Sequence, residues 1–114
     1  MRVISQDGTI DMPYEEVIIQ RFKSRIYFLN KNLTGVESLS DDMQIAEYST
    51  EAKAIKVMEM LRDQYKGLEV FKVLASGTAE HMEKSFNSDE LKEYIRAYHD
   101  INVFQFPQDD EIEV

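Results

Sequence analysis

The chain has 114 residues, 43% hydrophobic and 31% charged, which suits one small globular domain and is too apolar for a disordered chain. It contains no cysteine, which excludes disulfides, thiol nucleophiles and Cys-ligated zinc or iron–sulfur centres. The net charge of −9 works against binding to a phosphate backbone. No apolar run approaches the roughly 20 residues that span a bilayer, and the opening MRVISQDG lacks a signal-peptide core, so the expectation is a cytoplasmic protein with no membrane association.

In chain order, Val3–Gln6 and Thr9–Met12 flank Asp7-Gly8, a dipeptide suited to a two-residue type I′ hairpin. Pro13 ends the second strand because it has no N–H to donate. Val17–Phe22 and Arg25–Leu29 are two further β-rich runs around Lys23-Ser24. That dipeptide suits a tight turn poorly and predicts a bulged or wider connection. Residues 31–42, KNLTGVESLSDD, read as a long polar loop.

Met43–Tyr48 predicts a strand that leads through Ser49-Thr50 into a helix over about 50–66. Either hydroxyl can cap it, and Glu51 in the first turn suits the helix dipole. Ile55, Met58, Leu61 and Tyr65 recur at helical spacing, and Gly67 reads as the stop. Leu68–Leu74 looks β-like. Within 75–87, Thr78 offers a cap for a short helix. Ser88 opens a second helix over about 88–99, with Leu91, Tyr94, Ile95 and Tyr98 on one face. Ile101–Phe106 reads as a closing strand, ended by Pro107.

This order predicts an α+β fold: a mostly antiparallel sheet or open roll of about six to seven strands, with one long helix packed on a face and a second helix before the closing strand. Residues 1–107 form the expected single domain, and the acidic tail 108–114 is expected to fray.

Motifs for chemistry are missing. The four glycines, at 8, 35, 67 and 77, form neither a P-loop nor a GxGxxG turn. A phosphate at the Ser49-Thr50 corner would meet Glu47 and Glu51, so the corner reads as a cap rather than a cradle. His81 and His99 have no partner at ligand spacing, and GxSxG and SxxK are absent. No catalytic residue, cofactor or metal is assigned.

Charge polarity is the remaining signal. Between Val17 and Lys31 lie Arg21, Lys23, Arg25 and Lys31 with no acid, interleaved with Phe22, Tyr27 and Phe28. If the segment stays extended, residues 21, 23 and 25 share one face. Such a strip can contact single-stranded nucleic acid, although edge strands also carry basic residues simply to block pairing. The opposite pole is the stretch Glu37–Glu51 together with Asp109, Asp110 and Glu111 in the tail.

Three stretches, MRVISQDGTIDMPYE, IAEYSTEAKAIKVMEMLR and VFQFP before an acidic end, together resemble small uncharacterised proteins of Gram-positive bacteria (Firmicutes) and their phages and mobile elements. The resemblance implies a host type and a possible mobile-element origin, with no activity attached. The resulting expectation is a non-enzymatic protein-interaction module whose contact residues come from Arg21, Lys23, Arg25, Tyr27, Asp109, Asp110 and Glu111. Its partner would be another protein, or a second copy paired through a sheet edge at Arg25–Leu29 or Ile101–Phe106. The alternatives are an accessory protein for single-stranded nucleic acid acting through residues 21–28, and a small enzyme with a loop-built site.

Overall fold

The structure, a computed structural model, describes residues 1–30, 41–85 and 88–114. It is α+β, with six strands among the described residues arranged in two open three-stranded sheets, one long helix and a second helix before the last strand. The predicted loop over 31–42 lies outside the described residues except at its end, where Asp41–Met43 form a 3₁₀ turn.

The first sheet has the order β2-β1-β6. Strands β1 (Arg2–Ile4) and β2 (Asp11–Pro13) pair antiparallel, with Val3 opposite Met12. The Asp7-Gly8 hairpin forms, but not with the expected two-residue turn. Only Gly8 has positive φ, at 79°, whereas a type I′ turn needs it at both positions. The Asp7 carboxylate instead organises a wider loop by accepting from Ser5 Oγ at 2.7 Å, Thr9 N–H at 3.0 Å and Thr9 Oγ1 at 2.7 Å. A short polar side chain that bonds its neighbours' backbone and hydroxyls outcompetes the tight turn.

The second sheet has the order β3-β4-β5 and is antiparallel throughout. Strands β3 (Val17–Phe22) and β4 (Arg25–Asn30) pair from Phe22↔Arg25 to Val17↔Asn30. The expected wide connection is therefore a tight two-residue turn, closed by Lys23 in the left-handed region at φ 54°, a conformation that costs a non-glycine residue about 1 kcal/mol. Strand β5 (Gln44–Glu47) is shorter than the predicted Met43–Tyr48. It meets β4 with a shift between Ile26↔Ala46 and Tyr27↔Gln44, which leaves Ile45 as an extra residue. This bulge lets two consecutive residues, Ile45 and Ala46, both be buried, which a regular strand with one solvated face does not allow.

The largest departure from expectation is helix α1, which runs without a break from Glu51 to Ser85. Gly67 is not a stop, Leu68–Leu74 is not a strand, and Thr78 lies inside the helix rather than at its cap. Ala54, Val57, Leu61 and Leu68 are all buried, at spacings of three, four and seven, so one apolar stripe passes straight through Gly67. The β-branched character of LEVFKVL is a weaker determinant than that stripe. Thr50 caps the start, its Oγ1 accepting from Lys53 N–H at 3.2 Å. Helix α2 spans Ser88–Ile101. Strand β6 (Val103–Gln105) is shorter than the expected Ile101–Phe106, because Ile101 is still helical. It pairs parallel to β1, Val3 opposite Phe104.

The core lies between the sheets and α1. Val3, Ile26, Val57, Leu61, Leu68 and Phe106 are all at most 1% exposed, and Phe104 meets Phe106 edge to face at 5.3 Å. Ser5 is buried but satisfied, donating to Asp7 and accepting from Ile10 N–H at 3.0 Å.

Two outcomes test this reading of the fold. A Cβ at Gly67 would meet Ile101 Cδ1 at 3.6 Å, an ordinary contact. Gly67→Ala is therefore expected to raise stability by up to ~1 kcal/mol in thermal or urea unfolding, whereas a helix stop there would make the change destabilising. The hydroxyls and N–H around Asp7, those of Thr9 first, hold its carboxyl down at about 2 from an ordinary 3.8. A lowered carboxyl stabilises the fold above its unfolded value and loses that contribution as pH falls toward 2. The stability gap between wild type and Asp7→Asn should accordingly narrow between pH 3.8 and 2.

Candidate interaction surface

The basic segment does not assemble into one face. The turn at Lys23-Ser24 folds it back on itself, and directly opposed residues of an antiparallel pair share a face. Arg21 therefore lies with Ile26 on the helix-covered face, and Arg25 with Phe22 on the other. Each arginine is also committed. Arg21 reaches Glu51 at 2.9 Å and donates to Lys23 O at 3.0 Å. Arg25 lies 3.5 Å from Glu47 and 3.9 Å from Asp41, and Tyr27 first and Glu47 next hold its charge more firmly than usual. Tyr27 is itself buried. Lys23 sits over the Phe22 ring at 5.5 Å. The acids that neutralise this segment come from α1, the 3₁₀ turn and β5, which are distant in sequence.

The acidic tail is not frayed. Ile112 is buried among the core residues, and Asp109–Glu111 form a 3₁₀ turn closed by a reciprocal pair: the Gln108 carbonyl accepts from the Glu111 backbone N–H at 3.1 Å, and the Glu111 side chain accepts from Gln108 N–H at 3.0 Å. Asp109 accepts from Ser49 N–H at 2.7 Å and from Lys53 Nζ at 3.2 Å. These contacts, the Ser49 N–H first, hold its carboxyl below the ordinary range. The strand-to-helix corner thus does carry an anion, and it is the protein's own carboxylate. Asp110, the middle residue of the turn, is exposed. Tyr48 donates to Pro107 O at 2.9 Å, and burial first, then Asp109 and Glu111, push its hydroxyl far above the usual value.

Among the outer edges of the two sheets, three are blunted. β2 is three residues long and ends on Pro13. At β6, Gln64 Nε2 donates to Val103 O at 2.7 Å and Ile101 O at 3.1 Å. At β5, Gln6 N–H donates to Ile45 O at 2.8 Å, and Gln6 Oε1 accepts from Glu47 N–H at 3.0 Å. The fourth edge, β3, is six residues long, and no described residue pairs with it. The edges expected to be open, Arg25–Leu29 and Ile101–Phe106, are therefore not the free ones: β4 is the central strand, and Gln64 covers β6.

β3 also presents apolar side chains to solvent. Val17, Ile19 and Arg21 turn toward α1, whereas Ile18 and Phe22 on the outer face are 47% and 55% exposed, with Gln20 between them. Between the strand and α1 lies a cleft of about 490 Å³, lined by Tyr14, Glu15, Val17, Ile18, Ile19, Met58, Leu61, Arg62 and Tyr65, so Ile18 borders this cleft as well as solvent. Burial works against the charge of Glu15, but the Met1 amino group at 2.8 Å outweighs it and holds the carboxyl below its ordinary value. A carboxyl held ionised in this way is a poor proton donor near neutrality.

Ile18, Gln20 and Phe22 escape sequence reasoning because VIIQRF is apolar at both parities, so alternation does not say which side faces water. Among the described residues no three metal-ligating side chains cluster, and no helix is long and apolar enough to cross a membrane. Comparison with protein-family models, with curated proteins and with solved structures finds no match.

A docked tail makes a definite demand. Ile112→Ala is expected to destabilise the fold by about 2–4 kcal/mol in chemical denaturation, the usual cost of truncating a buried isoleucine, whereas a frayed tail would register no change.

Proposed function

We propose that the chain is a non-enzymatic protein-interaction module that works by accepting an extended segment at the open edge of β3. One observation carries the reading: three sheet edges are closed by a proline or by glutamine side chains, and the longest one is left uncovered by the described residues and flanked by exposed Ile18 and Phe22. Unpaired edges invite non-native pairing, and folds ordinarily blunt them. An edge left open beside closed ones fits a binding site of the strand-addition kind, in which backbone hydrogen bonds supply affinity and alternate side chains supply selectivity. Ile18 and Phe22 would provide the apolar anchor, Gln20 a hydrogen-bonding group between them, and Arg21 stays tied to Glu51 behind the strand.

The test uses affinity capture from cell lysate with the wild-type chain beside the double variant Ile18→Lys/Phe22→Lys. Both positions are solvent-exposed, so the variant is expected to keep its circular dichroism spectrum and unfolding midpoint while losing the proteins that the wild type retains. Identical retention by both chains would place the binding surface elsewhere and overturn the proposal.

A further inference from the structure

Resting on that reading of β3, we infer that one occupant of the edge is a second copy of this chain, paired antiparallel through β3 about a two-fold axis at Gln20.

The polarity of the edge argues for antiparallel self-pairing. Acidic Glu16 precedes the strand and basic Lys23 follows it, and both are exposed. Antiparallel pairing brings each Glu16 beside the Lys23 of the other copy, whereas parallel pairing sets like charges side by side. The strand itself carries no acid, so the −9 charge of each copy acts only at longer range. Salt screens that range beyond about 8 Å at physiological ionic strength.

Hydrogen-bond alternation limits the register. A two-residue turn makes Phe22 and Arg25 a hydrogen-bonded pair, which turns the backbone groups of Ile18, Gln20 and Phe22 toward β4 and those of Val17, Ile19 and Arg21 outward. A two-fold axis normal to the sheet keeps each face on its own side, so it must pass through a residue. Only an axis at Gln20 places both exposed apolar residues against each other, Ile18 opposite Phe22 of the second copy and the reverse. It does so in non-hydrogen-bonded pairs, where side chains approach most closely. An axis at Ile19 would set Phe22 against Glu16, and one at Ile18 would set it against Tyr14. With the axis at Gln20, Ile19 exchanges backbone hydrogen bonds with Arg21, and the two three-stranded sheets join into one of six strands.

A single strand pair buries little area, so the dimer is expected to be concentration-dependent. The measurement is sedimentation equilibrium over a wide concentration range in physiological salt, with the wild type expected to rise from monomer mass toward twice that value. Ile18→Lys/Phe22→Lys should stay at monomer mass throughout. Because the native chain has no cysteine, Gln20→Cys gives an independent readout: oxidation should cross-link it to a disulfide dimer many-fold faster than Glu59→Cys on the exposed face of α1. A wild type that stays monomeric, a dimer indifferent to the two lysines, or equal cross-linking at positions 20 and 59 would each overturn the inference. A monomeric wild type whose captured partners still vanish in the double-lysine variant would overturn self-pairing alone and leave the module reading standing.

Discussion

Gln6 holds the two halves of this fold together. Its backbone N–H donates to Ile45 O, its carbonyl accepts from Gln108 Nε2, its side-chain oxygen accepts from Glu47 N–H, and its side-chain nitrogen donates to Pro107 O. One residue just past β1 therefore ties the first sheet to β5 of the second and anchors the C-terminal segment over both. A three-stranded sheet of this size needs an apolar face to bury or a helix to pack against. Across the seam at Gln6, Val3, Ile45 and Phe106 join the buried residues of α1 in one core. A partly buried polar residue can hold such a position only if its groups are satisfied.

The seam also explains the tail. Once Pro107 and Gln108 are held by Gln6 and Tyr48, Asp109 is delivered to the start of α1, where Ser49 N–H and Lys53 receive it. Ile112 follows into the core. Acidic composition predicts fraying only for a segment with nothing to bury and no donor to meet, and this one has both.

The same logic distributes exposure along the sheet edges. Gln6 closes β5 through its backbone N–H and side-chain oxygen, and Gln64 closes β6 from α1. β3 has no neighbour of that kind among the described residues, and its outer face keeps Ile18 and Phe22 in solvent. The basic residues that drew attention in the sequence lie on opposite faces of the hairpin and are balanced by acids from elsewhere, so the feature that stands out on the surface is apolar and backbone-polar rather than cationic.

The sequence by itself determined the α+β class, the hairpin around Asp7-Gly8, the strand before Ser49-Thr50 and the cap on α1, because each shows in a pattern of neighbouring residues. It also carried the sign that α1 continues, in the seven-residue step from Leu61 to Leu68, where a glycine and a β-branched run masked it. The tight turn at Lys23, the bulge at Ile45, the split of Arg21 from Arg25, the docking of Asp109 and Ile112, and the identity of the open edge were decided by tertiary structure alone. Each depends on which distant backbone group or side chain arrives opposite, and neither composition nor periodicity carries that information.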